Sequence, residues 1–117
     1  MSHILLAEDE FLIRAVLVDA LGEIGLSCIE APTGQAALDA VTGEVPLSAI
    51  IVDIGLPDMS GEKVIEAAAL HRPGTPIIRC SGAGSTGTAD SPGVHVVSKP
   101  YSAAELSKFV ASLIARP

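Results

Sequence analysis

The sequence predicts an α/β domain built on a doubly wound parallel sheet, and three observations carry that prediction. Short β-rich runs at Ile4–Ala7, Ser27–Ala31, Ala49–Ile54, Pro76–Cys80 and Val94–Ser98 alternate mostly with helix-length segments. The runs Ile50-Ile51-Val52 and Pro76-Ile77-Ile78 are continuous, not alternating, as in strands covered by helices on both faces. Hydrophobic residues make up 49% of the 117 residues and charged ones 18%, which excludes a disordered or fibrous chain and gives one domain over residues 1–117.

Taken in order, the first strand starts at His3, and the first helix runs from about Glu10 to Ile24, with Leu17, Ala20, Leu21 and Ile24 on one stripe and Gly25 as its stop. Leu12, Ala15 and Val16 fall outside that stripe, an apolar strip suited to a partner helix. A short second helix follows Pro32 and uses Ala36, Ala37, Leu38 and Val41. The third opens near Ser60 and closes at His71-Arg72-Pro73-Gly74. The last helix opens on the capping box Ser102-Ala-Ala-Glu105, with Leu106, Phe109, Val110 and Leu113 at helical spacing for packing onto the sheet. Between Gly82 and Gly93 the pattern fails, so the fourth helix of the repeat is expected to be shortened or absent.

Acidic residues outnumber basic ones 14 to 7, a net charge of -7 that repels phosphate backbones and anionic membranes. Nucleic acid is not expected as a direct partner, and no apolar run is long enough for a membrane span. Cys28 and Cys80 lack metal-type spacing, and no charged-plus-apolar leader precedes the first strand. A reducing, cytoplasmic setting is expected.

In an open parallel sheet, ligands bind outside the carboxyl ends of the strands. Glu8 and Asp9 follow the first strand and Asp53 ends the third, so three carboxylates should converge. Acids this close raise each other's pKa unless a cation shares them, and Mg²⁺ suits an all-oxygen set. An acid directly after Ile50-Ile51-Val52 is costly to bury for packing alone. Ser81 after the fourth strand offers a hydroxyl, and Lys99 after the fifth a cation. Together they suit Asp53 as a carboxylate nucleophile that takes up a phosphoryl group bound by Ser81 and Lys99.

With Glu8-Asp9, Asp53-Ile-Gly-Leu-Pro-Asp-Met-Ser-Gly61, Ser81-Gly82 and Lys99-Pro100-Tyr101, essentially the whole chain resembles the receiver domain of two-component response regulators, of the stand-alone type. The resemblance implies a flavodoxin-like sheet of order 2-1-3-4-5. It implies Asp53 as phosphoacceptor, Asp9 as main metal ligand with Glu8 second, the Gly55 carbonyl as a backbone ligand, and Ser81 and Lys99 on the phosphoryl group. It further implies a cis bond before Pro100, a small Gly82 that leaves room for the phosphoryl group, and a histidine kinase or histidine phosphotransfer protein as donor. Output would run through protein contact or onward phosphotransfer, without an enzymatic activity of its own. In that strand order Cys28 and Cys80 lie beyond disulfide reach.

Two positions depart from the family pattern. Val96 stands where an aromatic is usual, with His95 just before it, and Ser81 and Lys99 are only 18 positions apart, about a helical turn short. A pseudo-receiver acting as a phosphorylation-independent binding module is the rival reading, against which the complete set of five residues argues. An aspartyl-phosphate phosphatase would need an acid two residues after its nucleophile, where Gly55 stands. His3, His71 and His95 share no ligand spacing.

Overall fold

The computed structural model describes residues 3–81 and 93–114. Their order is β1 (His3–Ala7), α1 (Phe11–Glu23), β2 (Cys28–Ala31), α2 (Gly34–Thr42), β3 (Leu47–Asp53), α3 (Gly61–His71), β4 (Ile77–Ser81), β5 (Val94–Ser98) and α4 (Ala103–Ile114). All neighbouring strands are parallel, in the order β2-β1-β3-β4-β5. The expectation of a shortened or absent helix between β4 and β5 falls on residues outside the described ones, as does the role given to Gly82.

Side chains alternate across the sheet, which sorts the core into two layers. Leu5, Ala7, Ile50, Val52 and Ile77 face α2 and α3, where they meet Ala37, Val41, Val64, Ile65 and Ala68. Ile4, Leu6, Ala49, Ile51, Ile78 and Cys80 face α1 and α4, against Leu17, Leu21, Leu106 and Val110. Because both faces of β1 and β3 are covered, Ile4–Ala7 and Ala49–Val52 read as unbroken apolar runs, while in β4 the run Ile77-Ile78 is broken by buried Arg79.

Element ends shift by a residue or two from the sequence reading. β3 starts at Leu47, since Leu47 pairs with His3 across a register shift before Ile4 takes up Ala49. It ends at Asp53, not Ile54. Ser27 and Pro76 sit just before their strands, yet their carbonyls accept from Ile4 N (2.9 Å) and Ile50 N (3.0 Å). Ile24 leaves the helical stripe because α1 stops at Glu23, and it is exposed. The stop is made at Gly25, whose φ of 85° is open to glycine at little cost. Ser60 Oγ caps α3 by accepting from Glu62 N (3.2 Å), and Ser102 Oγ accepts from Glu105 N (3.3 Å) at the start of α4.

Helix α2 is satisfied at both ends from the flanks of α3. At its start Asp58 accepts from Gly34 N (2.7 Å) and Gln35 N (3.0 Å), while Thr33 Oγ1 accepts from Ala36 N (3.1 Å). At its end Arg72 donates to the carbonyls of Ala40, Val41 and Gly43. Acid at the N-terminus and base at the C-terminus both oppose the helix dipole favourably. Across the α3 face of the sheet, buried Arg79 of β4 reaches Glu62 of α3 at 2.6 Å.

Candidate functional site

The site lies at the carboxyl ends of β1, β3, β4 and β5, where the order reverses beside the first strand. The chain turns from β1 into α1 at Glu8 and Asp9; Glu8 is 1% exposed, whereas Asp9 is open to solvent. Asp53, 7% exposed, closes β3 beside Cys80 of β4. One carboxylate oxygen from each of Glu8, Asp9 and Asp53 falls within 4.8 Å of the others.

Lys99 faces this cluster from the end of β5. Its Nζ is 3.1 Å from Asp53 Oδ2 and 3.8 Å from Glu8 Oε1. Lys99 N donates to Ser81 O (2.8 Å), which ties the two strand ends together, and the Lys99–Pro100 peptide is cis as expected. Ser81 is buried, one residue beyond the register partner of Asp53. The structure therefore brings Glu8, Asp9, Asp53 and Lys99 into one cluster and sets Ser81 on the adjoining strand end. Gly55 N donates to Asp53 Oδ1 (3.2 Å), so Asp53 is held by Lys99 on one oxygen and by its own loop on the other.

One cation among three acids leaves the cluster electrostatically short. Burial above all pushes the Glu8 carboxyl up from 4.5 to about 7; the charge of Asp53 adds to the rise, while the Glu10 amide and Lys99 oppose it. Burial alone would depress Lys99, but its hydrogen bond to Asp53 and the charges of Asp53 and Glu8 hold it above its ordinary value. Burial, with the Asp53 charge behind it, pushes the Cys80 thiol up to about 12, so Cys80 is a core thiol. Glu8 Oε2 accepts from Glu10 N (3.1 Å), yet the buried Glu8 Oε1 has no hydrogen-bond partner. An orphaned buried carboxylate oxygen next to two further acids is what a hard divalent cation with oxygen ligands satisfies, and the residues fit Mg²⁺.

Of the supporting residues, Arg14 carries no local sequence signal, and Gly61 enters only as the last residue of the Asp53–Gly61 motif. Arg14, one turn into α1, donates from Nη1 to the carbonyls of Glu8 (2.9 Å) and Asp9 (3.5 Å) and from Nε to Glu30 (2.9 Å). It clamps the turn that presents the acids. Gly61 lies so close to β3 that a Cβ there would stand 2.5 Å from Asp53 O and 2.8 Å from Ile54 Cα. Beside the site an open cavity of about 480 Å³ is lined by Ile13, Lys99, Pro100 and Tyr101. A second, of about 250 Å³, continues along Leu12, Val16 and Ala103. Leu12 and Val16 are exposed, while Ala15 of the same strip is half-buried.

Comparisons with known proteins bear on the fold and the family. The fold is that of a response regulator receiver domain protein from Clostridium thermocellum, with a TM-score of 0.87 at 23% identity over 99% of this chain and 96% of that one. A receiver protein from Sinorhizobium medicae gives 0.84 at 23% identity over 97% and 94%. The receiver domain of a sensor histidine kinase from Pseudomonas aeruginosa, solved with magnesium in its active-site cleft, gives 0.81 at 22% identity over 98% of both chains. No curated protein sequence matches significantly. The sequence model of the response regulator receiver domain matches residues 4–111, nearly the whole chain, and the protein belongs to that family.

Proposed function

We propose that this chain is a single receiver unit in which Asp53 accepts a phosphoryl group from the phosphohistidine of a histidine kinase or a histidine phosphotransfer protein. The observation that carries the reading is the contact of buried Asp53 with Lys99 (3.1 Å) inside a cluster of three acids. A carboxylate oxygen of Asp53 attacks phosphorus, the bond from phosphorus to the histidine nitrogen breaks with its electron pair, and an acyl phosphate forms. Lys99, which neutralises Asp53 at rest, takes the new phosphoryl oxygens as partners. Ser81 supplies a hydroxyl donor from the next strand end. Glu8, Asp9, Asp53 and the Gly55 carbonyl would hold Mg²⁺, which when bound neutralises charge on the transferred group.

The donor approaches over α1. Exposed Leu12 and Val16 adjoin the cavity of Ile13, Lys99, Pro100 and Tyr101, so an apolar helix laid there would bring its histidine to Asp53. No helix among the described residues is long and apolar enough to cross a membrane. We place the protein in the cytoplasm, with output by protein contact or onward phosphotransfer and no direct binding of nucleic acid.

Treatment with acetyl phosphate and Mg²⁺, read by intact mass, tests the reading. Wild type gains one phosphoryl group and Asp53→Asn gains none. Unchanged mass in wild type, or the same gain in the variant, overturns it.

A further inference from the structure

The β3–α3 loop carries a second acid whose role the phosphoryl chemistry does not require. Asp58 is exposed, yet both of its carboxylate oxygens are committed to the main chain of α2, Oδ1 to Gly34 N (2.7 Å) and Oδ2 to Gln35 N (3.0 Å). These are charge-assisted bonds to the first two amides of a helix, which have no acceptor within it. The contact is close on the helix side as well. A Cβ at Gly34 would overlap the Met59 side chain and stand 3.2 Å from Asp58 Oδ1.

The rest of the loop is fixed at its neck. Ile54 N donates to Cys80 O (3.1 Å), Gly61 N donates to Ile54 O (2.9 Å), and Leu56 is buried in the α2/α3 core layer. Gly55 lies between Ile54 and Leu56, and its N–H meets Asp53 Oδ1. Each loop residue has only two soft dihedrals, so pinning both neck and tip leaves the main chain at Gly55 little freedom. Without Asp58 the tip loses both of its hydrogen bonds to α2 and keeps the packing of Met59.

We propose that Asp58 is a positioning residue for the cation site, pinning the β3–α3 loop to the start of α2 and so holding the Gly55 main chain beside Asp53 where Mg²⁺ is taken up. The proposal rests on the reading of Gly55 and the three acids given above. Coupling of this kind is reciprocal: if docking of the loop on α2 favours the cation, the cation favours the docking. The amides of Gly34 and Gln35 should then report Mg²⁺ although neither residue is among its ligands.

The test is a Mg²⁺ titration of the full chain followed by amide NMR, with hydrogen exchange at Gly34 and Gln35, in wild type, Asp58→Asn and Asp58→Ala. Loss of a buried outer-shell partner weakens metal binding roughly 10–100-fold; for exposed Asp58 the alanine variant should raise the Kd for Mg²⁺ about three- to tenfold. Asparagine, which keeps one acceptor without the charge, should recover part of that loss, whereas a purely electrostatic role would leave both variants equal. In wild type, saturating Mg²⁺ should slow exchange at Gly34 and Gln35 severalfold, a measurement that needs no variant. An unchanged Kd in folded Asp58→Ala, equal losses in both variants, or Mg²⁺-independent exchange in wild type would overturn the proposal. No phosphodonor is involved, so Mg²⁺ binding coupled to Asp58 supports it even if Asp53 resists phosphorylation. A wild type that binds no Mg²⁺ at millimolar concentration would bring down both readings.

Discussion

Replacing Gly61 by alanine adds one methyl group at the tightest point beneath the site. The new Cβ would stand 2.5 Å from Asp53 O, 2.8 Å from Ile54 Cα and 2.9 Å from Val52 Cγ1. Carbon contacts are optimal at about 3.5–4.0 Å, so each falls short by roughly 1 Å, and two of the three atoms are backbone. Overpacking costs about 1–3 kcal/mol, and fixed backbone places this case in the upper part of that range. Alanine returns at most about 1 kcal/mol of helix propensity, and less at the first position of α3. A net loss of about 2 kcal/mol follows. With an unfolding entropy of about 2.1 cal/mol/K per residue over 117 residues, that lowers Tm by about 8 °C. Far-UV circular dichroism melts measure it. Gly55→Ala is the matched control, since among the described residues its Cβ would meet only Asp53 Oδ1 at 4.0 Å, and its melt should stay within about 2 °C of wild type on the same entropy scale. If Gly61→Ala melts that close to wild type, or if Gly55→Ala is equally damaging, α3 can give way freely and the argument for a rigid floor under Asp53 fails.

Other outcomes follow from the same contacts. Because Glu8 titrates near 7 in the folded protein against 4.5 ordinarily, its contribution to stability is full below the ordinary value and is lost as pH rises through about 7. Urea midpoints without metal, compared between wild type and Glu8→Gln, should converge in acid and favour the variant above neutrality; a wild type that gains on Glu8→Gln with rising pH would refute this. Glu62→Ala should cost about 2–4 kcal/mol by leaving buried Arg79 unpaired, whereas Arg79→Leu should cost much less; equal urea losses would show that the pair is not asymmetrically buried. Val16→Glu, which charges an exposed residue of α1, should slow transfer from the histidine donor at least tenfold, by analogy with a charge placed in an interface centre, yet spare acetyl phosphate labelling. Equal losses in both assays would place the fault in the fold.

The sheet is legible because its signal is repetitive: short unbroken runs such as Ile50-Ile51-Val52, recurring between helix-length segments, suit strands covered on both faces, and strand ends are where ligands gather. Asp53 stands out because a charge directly after such a run has no packing reason to be there, and Lys99 because it supplies a cation at another strand end. Arg14 is silent in the sequence, and Asp58 and Gly61 enter only as members of the Asp53–Gly61 motif, with no contact assigned to them. Their partners are the carbonyls of Glu8 and Asp9, the amides of Gly34 and Gln35, and the main chain at Asp53, and every residue carries such groups. The pattern thus assigns partners to side chains that meet side chains, and assigns none to those that meet main chain. Ile24 was misplaced because periodicity carries on past a helix end that backbone conformation enforces.

The strand order also bears on how the chain assembles during synthesis. β1 is made first but lies inside the sheet, between β2 and β3, so its second edge stays open after β2 has paired, until residue 53 has emerged. The α2/α3 layer is nearly complete only once α3 has followed, at residue 71. On the opposite face Ala49 and Ile51 still lack Leu106 and Val110 of α4, the last described element, which pack in the same layer. A chain halted near Gly74 therefore presents an apolar sheet face and the unpaired edge of β3, a template for a second nascent chain. Long-range pairings of this kind fold slowly, and the late arrival of α4 makes the closing helix the step that ends exposure to aggregation.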